Sequence, residues 1–190
     1  VQRVHQEDLC QALGRPAWQK YEREGGPSVS SVAALFDRLP LQFRADSRLR
    51  FLDALIFNYI LAGTDGHARN FSLLLSGPDA TLAPLYDLNS ALPYTRPWGQ
   101  RFDSVRKLHS SFVVGRSDAF TRVTADDWMA VGNVLGVDRE YVVPRLEAMS
   151  TDLPAAIAAS VDEVSAEADI ALDFDWMTAL AGYRSEWALA

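Results

Sequence analysis

Several polar side chains of different chemistry occur close together in TDGHARNFSLLL, residues 64–75. Asp65 and Asn70 stand five positions apart, with a histidine and an arginine between them, and Asp87 follows after a short apolar stretch. Carboxylate and amide oxygens are hard ligands of the kind that Mg²⁺ binds, while phosphate oxygens and water complete its coordination. A separate carboxylate that binds no metal can orient the proton of an attacking hydroxyl. The residue types therefore predict a site for magnesium and phosphate in which one carboxylate accepts a proton.

The order of these residues along the chain adds to their types. The spacing Asp-x-x-x-x-Asn, followed by a hairpin and a metal-binding Asp, is that of the kinase catalytic loop. A hairpin after Asn70 would return Asp87 to its side, so we predict that Asn70 and Asp87 hold one ion. Asp and Asn five apart also occur by chance in many chains. The alternative is a turn rich in Asp and Asn that caps a helix and begins a strand.

The elements on either side of the loop should hold it in place. The preceding segment is the most apolar of the chain, and its spacing predicts a core helix buried nearly all round. Its apolar residues are Leu49, Phe51, Leu52, Leu55, Ile56, Phe57, Tyr59, Ile60 and Leu61. Gly63 is predicted to end this helix. Residues 71–75 and 80–85 flank the turn sequence Ser-Gly-Pro-Asp and predict a β-hairpin.

The rest of the chain is mostly helical in its periodicity. Thr124 with Asp127 predicts a capping box at a helix start, and Gly136 predicts its end. The other predicted helices cover residues 6–13, a segment that begins at Ser28, and residues 141–149, 153–164 and 174–187. The region that follows LYDLNSALPY, up to about Arg122, predicts no regular element. We therefore expect one domain, residues 1–190, mainly α with one small β-hairpin.

Charge and composition exclude several classes of protein. The net charge of −7 arises after residue 150, where eight acids stand against one base, Arg184. Direct, tight binding to DNA is not expected, because it needs a basic face. The sequence contains no long uncharged apolar run, so no membrane span is expected. A single cysteine, Cys10, and three separated histidines do not favour a disulfide or a zinc site. We expect a cytoplasmic protein in which Cys10 is a small apolar side chain.

Three blocks of sequence resemble the C-terminal lobe of HipA-type serine/threonine kinases, the toxin components of HipA/HipB toxin–antitoxin modules. These blocks are QEDLCQALGRPAWQKYEREGGPS, NYILAGTDGHARNFSLLL and LAPLYDLNSALPY. The resemblance implies a protein-kinase-like C-lobe, ATP and Mg²⁺ as cofactors, and phosphorylation of a protein. Matched by position, Asp65 falls on the catalytic proton acceptor and Asp87 on the DFG-type aspartate. The stretch of His67, Ala68, Arg69 and Asn70 falls on the part that contacts ATP and metal.

The resemblance also implies partners and a missing part. The partner would be a HipB-like DNA-binding antitoxin, with DNA contacted only through it, and the protein substrate an aminoacyl-tRNA synthetase such as glutamyl-tRNA synthetase. Arg69 replaces the lysine that is more frequent in the family. The basic patch of the family has only Lys107, Arg116 and Arg122 as candidates. A chain that begins after the kinase hinge lacks the ATP-covering lobe, so we expect the isolated chain to be inactive and the full-length protein to be a kinase.

Two other functions stay open at the level of sequence. A small-molecule kinase of the aminoglycoside-phosphotransferase type has a similar loop, although such enzymes usually carry a histidine where Gly63 stands. A non-catalytic module that only binds an antitoxin is the second. His67 has two possible roles as well, since its ring could contact a phosphate or hydrogen-bond the loop backbone.

Overall fold

The computed structural model of the chain describes residues 3–91 and 107–168. The elements in chain order are β1 (His5–Asp8), α1 (Leu9–Ala12), α2 (Val29–Phe36), α3 (Leu41–Ile60), β2 (Ser72–Ser76), β3 (Asp79–Leu82), β4 (His109–Val114), β5 (Ser117–Ala119), α4 (Ala125–Leu135) and α5 (Arg139–Ala168). Short 3₁₀ turns lie at Glu22–Glu24 and Ala68–Asn70. Helix predominates over strand in the described residues, as predicted, but five strands in two sheets are found there where one hairpin was predicted.

Helix α3 is the core helix that the sequence predicts. Phe51, Leu52 and Ile56 are fully buried, and burial of a side chain of this size contributes about 1.5–3 kcal/mol. The ring of Phe51 lies edge-on to the rings of Phe71 and Phe112, at 5.2 and 5.6 Å between centroids. The helix therefore packs against the residue that directly precedes β2 and against strand β4.

The predicted hairpin is confirmed, and it belongs to a larger sheet. Strand β2 pairs antiparallel with β3 on one side and with β1 on the other. The predicted helix over residues 6–13 is therefore wrong in its first half. Residues His5–Asp8 form β1, with Asp8 opposite Ser72, and only Leu9–Ala12 are helical. The edge of β2 offers backbone hydrogen bonds that outweigh the helical preference of this short segment.

A second sheet, which has two strands, lies where no regular element is predicted. Strands β4 and β5 pair antiparallel around Gly115, whose φ is +60°. The buried carboxylate of Asp127 accepts hydrogen bonds from the backbone and side chain of Arg116 at 3.2 and 2.9 Å. The same carboxylate caps α4 through Thr124, as the capping box predicts. One aspartate thus connects the β4–β5 turn to the start of α4.

The helix ends are confirmed at several points and corrected at one. Ser28 caps α2, and Gly136 ends α4 in the left-handed conformation. Residues 139–168 form one helix, α5, where two were predicted, although Pro144 and Pro154 lie within it. Proline removes a hydrogen bond without always ending a helix. The apolar side chains of Leu153 and Ile157, which lie on either side of the second proline, pack against the core. The predicted terminal helix over 174–187 lies outside the described residues.

Three further observations concern single predictions. Cys10 is buried, 1% exposed, and its thiol donates to the carbonyl of Gln19 at 3.6 Å. No helix in residues 3–91 and 107–168 is long and apolar enough to cross a membrane. Of the three candidate basic residues, Arg116 pairs with Asp127.

Candidate functional site

The polar loop, residues 61–70, begins where α3 ends. The buried amide of Asn58 lies beneath it. Ala62 takes a φ of +50°, and the N–H of Gly63 donates back to the carbonyl of Asn58 at 2.7 Å. A Cβ at Gly63 or at Gly66 would lie 2.6 or 2.8 Å from the Asn58 Oδ1. The loop therefore needs glycine at both positions, because its backbone passes directly over a side chain of the core helix.

Asp65 is the most highly connected side chain of the loop. The hydroxyl of Tyr21 donates to its Oδ1, and the Lys20 Nζ lies 3.8 Å from the same oxygen. The Nε2 of His67 lies 3.7 Å away. The Asp65 side chain is nevertheless 46% exposed, so the carboxylate can meet a substrate from solvent.

Tyr21 is held in its protonated form at this position. Burial raises the pKa of Tyr21, and the hydrogen bond to Asp65 raises it further, to about 12. The hydroxyl therefore remains a donor across the physiological pH range. Its ring also lies edge-on to the ring of His67, with centroids 5.3 Å apart.

His67 is a buried residue of the loop. Its side chain is 6% exposed, and its backbone N–H donates to the carbonyl of Asp65 at 2.9 Å. Burial lowers the pKa of His67, and the positive charge of Lys20 lowers it further, against the opposite effect of Asp65. A neutral imidazole is favoured. Its Nδ1 is buried and has no hydrogen-bond partner in the described part of the chain.

Asn70 is joined to Asp65 through its side chain. The amide Nδ2 donates to the backbone carbonyl of Asp65 at 2.7 Å, and the backbone N–H donates to the carbonyl of His67 at 2.8 Å. Asn70 is 6% exposed. Because the amide nitrogen is used inside the loop, its oxygen is the atom left to bind a cation.

The two residues before Asn70 have different surroundings. Ala68 is fully buried, and its backbone N–H donates to the carbonyl of Lys20 at 3.1 Å. The Arg69 side chain is 47% exposed, and its Nε lies 3.4 Å from Asp8, at the end of β1. The cation of the loop itself is thus paired with Asp8.

Asp87 follows the hairpin in a strained backbone conformation, with a φ of +54°. Among non-glycine residues, aspartate is one of the few that tolerate this region, and such outliers concentrate at functional sites. Asp87 is exposed. The adjacent Tyr86 hydroxyl donates to the carbonyl of Arg69 at 2.7 Å, so neighbours of Asp87 and Asn70 are directly bonded.

The segment after Asp87 is bound to the start of the loop. Ser90 Oγ donates to the carbonyl of Leu61 at 2.5 Å, and the N–H of Ala91 donates to the carbonyl of Ala62 at 3.1 Å. Hydrogen bonds therefore join the Asp87 segment to the loop both before and after Asp65, although none joins the side chains of Asp87 and Asn70.

The donor set suits magnesium better than a softer metal. An amide oxygen at Asn70 and a carboxylate at Asp87 are hard ligands, and Mg²⁺ usually takes one or two of these together with phosphate and water. No group of three or more His, Cys, Asp or Glu side chains in residues 3–91 and 107–168 could hold a metal. The fit is therefore to a magnesium ion that arrives with a phosphate ligand.

Four residues that shape this site are not predicted from the sequence. Lys20 and Tyr21 reach Asp65 from a distant loop, Asn58 supports the glycines, and Tyr86 joins the Asp87 segment to the loop. A lysine and a tyrosine beside a Gly-Gly-Pro turn carry no sign of this role in the sequence. An asparagine inside an otherwise apolar helix is a detectable signal, because buried polar groups need partners.

Comparison with known proteins gives consistent matches. The family model described as "HipA-like C-terminal domain" matches residues 1–161. The protein "Putative kinase Y4mE" of Sinorhizobium fredii is 33% identical over 165 residues, which cover 87% of this chain and 37% of that protein. The "Serine/threonine-protein kinase toxin HipA" of Shewanella oneidensis is 26% identical over 173 residues, covering 83% of this chain and 36% of the relative.

A solved structure shares the fold. It is described as the Shewanella oneidensis toxin–antitoxin system HipA, HipB and its operator DNA complex. The TM-score is 0.75 at 22% sequence identity, and the match covers 97% of this chain and 42% of that one. This chain thus spans less than half the length of the relatives that it matches.

Proposed function

Because the chain belongs to the HipA-like C-terminal domain family, we propose that it is the kinase C-lobe of a serine/threonine protein kinase. In this proposal residues 1–190 form one domain that carries the catalytic loop and the metal ligands. The full-length protein would transfer a phosphoryl group from ATP to a Ser or Thr hydroxyl. The relatives named above include a serine/threonine-protein kinase and a putative kinase, which favours a protein acceptor over an aminoglycoside-type one.

One observation carries the proposal. The loop that follows the buried helix is closed by the hydrogen bond from Asn70 Nδ2 to the Asp65 carbonyl, and Tyr86 ties the Asp87 segment to that loop. These contacts support a site in which the solvent-accessible carboxylate of Asp65 would act together with oxygen ligands for magnesium from Asn70 and Asp87. A turn that only caps a helix would need neither the buried amide of Asn70 nor the strained Asp87.

The roles of the residues follow from their chemistry. The exposed carboxylate of Asp65 would accept the proton of the substrate hydroxyl as the hydroxyl oxygen bonds to the γ-phosphorus of ATP, while the bond from that phosphorus to the bridging oxygen breaks and ADP leaves. Asn70 and Asp87 would hold Mg²⁺. Mg·ATP supplies the transferable phosphoryl group and the positive charge that offsets the charge of its phosphates. His67, buried and neutral, would support the loop beside Asp65 instead of contributing charge. Ala68 and Arg69 would contribute backbone to the loop, and the exposed side chain of Arg69 would contact a phosphate.

Phosphoryl transfer by the full-length protein tests this proposal. Radiolabelled ATP with cell extract or purified candidate proteins should give a labelled protein band, and an Asp65→Ala variant should lose the label. Full labelling by that variant would refute the assignment of Asp65. Calorimetry with Mg·ATP on the isolated chain should show binding far weaker than by the full-length protein, because phosphoryl transfer relies on positioning by parts that we expect outside this chain.

A HipB-like antitoxin is the partner that we propose. The structural neighbour is a HipA in complex with HipB and operator DNA. The acids after residue 150 give this chain no broad basic face, so we expect DNA contact only through the antitoxin. Co-expression with a DNA-binding protein encoded beside it, followed by co-purification, tests the interaction. If the two proteins elute separately at physiological salt, the proposed interaction is rejected.

A further inference from the structure

Two residues outside the proposed catalytic loop contact its central carboxylate. Tyr21 lies 44 residues before Asp65 in sequence, and its hydroxyl donates to Asp65 Oδ1. The Nζ of Lys20 lies 3.8 Å from that oxygen and 5.1 Å from the centre of the Tyr21 ring. An ammonium and a phenol thus both face one oxygen of the proposed proton acceptor, which leaves the other oxygen for a substrate hydroxyl.

The Lys20–Tyr21 segment is anchored on both sides. The carbonyl of Lys20 accepts the N–H of Ala68, inside the loop. The next side chain, the half-buried Glu22, accepts the N–H of Val113 at 2.7 Å, on strand β4. The segment therefore has a fixed position between the loop and the second sheet. This geometry differs from that of a solvent-exposed lysine that meets a carboxylate by chance.

No other guanidinium or ammonium of the described residues lies so close to Asp65. Within residues 3–91 and 107–168, Lys20 is the one lysine or arginine with a nitrogen within 4 Å of an Asp65 oxygen. Arg69, the cation of the loop, is paired with Asp8. His67 is buried and favours its neutral form. The positive charge at this carboxylate therefore comes from a different part of the chain.

We infer that Lys20 is a catalytic residue whose ammonium contacts the transferred phosphoryl group, and that Tyr21 is a positioning residue that orients Asp65. The inference rests on the proposed kinase function. In phosphoryl transfer the negative charge spreads over the three equatorial oxygens, and the attacking hydroxyl lies between the phosphorus and its proton acceptor. A cation beside that acceptor is within reach of those oxygens. The Lys20 side chain is 31% exposed, which leaves its ammonium accessible to a ligand.

A set of Lys20 variants in the full-length protein tests the catalytic part. Lys20→Met should lower kcat by about 100-fold, as the loss of one group that stabilises transition-state charge does. The KM for ATP should stay within about threefold, because this contact strengthens only in the transition state. Lys20→Arg keeps the charge and should recover part of the rate. Arg38→Met, which removes an exposed cation just after α2, is the matched control and should keep full activity.

Melting temperature and Mg·ATP affinity are measured for each variant. If Lys20→Met proves unstable, Lys20→Gln replaces it as a polar variant. A kcat within threefold of wild type for either neutral variant overturns the inference, and so does a loss that appears only in the KM for ATP. Asp65→Asn separates the two levels of the proposal. An active Asp65→Asn variant rejects the kinase site itself, whereas an inactive one together with active Lys20 variants rejects only the role of Lys20.

Tyr21→Phe tests the positioning part, since it keeps the ring against His67 and removes only the hydroxyl. We expect kcat to fall about tenfold, while the KM for ATP and the KM for the protein substrate stay unchanged. When the substitution is added to Asp65→Asn, we expect no further fall in kcat. When one residue acts through another, the effects of substituting the two are not additive. A purely structural role for Tyr21 would lower the residual rate of the Asp65→Asn variant by the same factor as that of wild type. That result would overturn the assignment.

Discussion

The side-chain amide of Asn70 donates to the backbone carbonyl of Asp65 at 2.7 Å and so closes the loop between the two residues. The bond joins the residue proposed to accept a proton to one that is proposed to bind magnesium. It explains why the spacing between them matters, because an amide five positions further along the chain reaches back to the carbonyl across the 3₁₀ turn Ala68–Asn70. The two functions therefore depend on one local structure.

Removal of the Asp65 charge should strongly slow the proposed phosphoryl transfer. In the full-length protein, Asp65→Asn should lower kcat by about 10²–10⁴, the usual contribution of a positioned proton acceptor. A phosphorylation assay with radiolabelled ATP measures the rate. Asp162→Asn, the same change at an exposed position on α5, is the control and should leave the rate unchanged. Equal rates for the two variants would contradict the assignment.

Loss of the Asn70 side chain should appear first in the magnesium requirement. Asn70→Ala should raise the Mg²⁺ concentration for half-maximal activity by about tenfold or more, because one hard oxygen ligand is gone. Titration of activity with Mg²⁺ at saturating ATP measures this. Asn133→Ala on the exposed face of α4 is the control. An unchanged Mg²⁺ requirement would show that Asn70 is structural only.

The hydroxyl of Tyr86 should matter for activity more than for folding. It donates its one proton to the Arg69 carbonyl, so Ser72 Oγ, 2.6 Å away, must donate to it. Tyr86→Phe leaves both groups unpaired and loosens Asp87 relative to Asn70. We expect a fall in kcat of about tenfold, of the size that a small misplacement of a catalytic group causes.

Tyr141→Phe is the control for Tyr86→Phe, since its hydroxyl bonds to Asp53 between α3 and α5. Kinase rate and melting temperature are measured for both variants in the full-length protein. A rate loss for Tyr141→Phe as large as that for Tyr86→Phe would contradict a specific role for the Tyr86 contact.

A methyl group at Gly66 should collide with Asn58, and a smaller residue at position 58 should relieve the collision. Gly66→Ala alone should cost about 1–3 kcal/mol of stability through overpacking. In an Asn58→Ala background the same change should cost clearly less, because the Oδ1 that lies 2.8 Å from the added Cβ is absent.

Chemical unfolding of the four proteins of this cycle measures the coupling. Gly77→Ala has no atom within 4 Å of its added Cβ but a φ of +60°, so its cost arises from local strain alone. That cost should be the same with and without Asn58. Strict additivity of Gly66→Ala with Asn58→Ala would contradict the proposed packing of the loop on α3.

Asp127 should stabilise the protein in a pH-dependent manner. Burial raises the pKa of Asp127, but hydrogen bonds from Arg116 and Thr124 outweigh this effect and hold the pKa below its ordinary value of 3.8. The folded state therefore prefers the charged carboxylate. The contribution of Asp127 to stability is complete above the pKa that its carboxyl has in the unfolded chain. It is lost as the pH falls from that value through the lower pKa of the folded state.

Asp127→Asn should thus destabilise the protein by about 1–3 kcal/mol at pH 7, and the difference from wild type should shrink below about pH 4. Chemical unfolding at several pH values measures it. Asp126→Asn changes the exposed neighbour and should show a much smaller difference at every pH. A deficit of Asp127→Asn that is independent of pH would contradict the stated cause.

Local sequence determined much of the fold. The apolar spacing of α3, the caps at Ser28 and Thr124, the stop at Gly136 and the β2–β3 hairpin are all found as predicted. These features depend on residues within a few positions of one another, so their physical causes are present in any short window of sequence. The order of core helix, polar loop, hairpin and Asp87 is likewise a property of the chain alone.

Tertiary structure decided the rest. The backbone of His5–Asp8 is a strand because the edge of β2 is available to it, and that edge lies more than sixty residues away. Tyr21 meets Asp65 for the same reason: α3 and the loop bring together segments that have no local relationship. The free energy of such contacts depends on the shape of the folded chain, whereas periodicity and capping report only on near neighbours. The proposed proton acceptor could therefore be named from the sequence, but the groups that hold it in place could not.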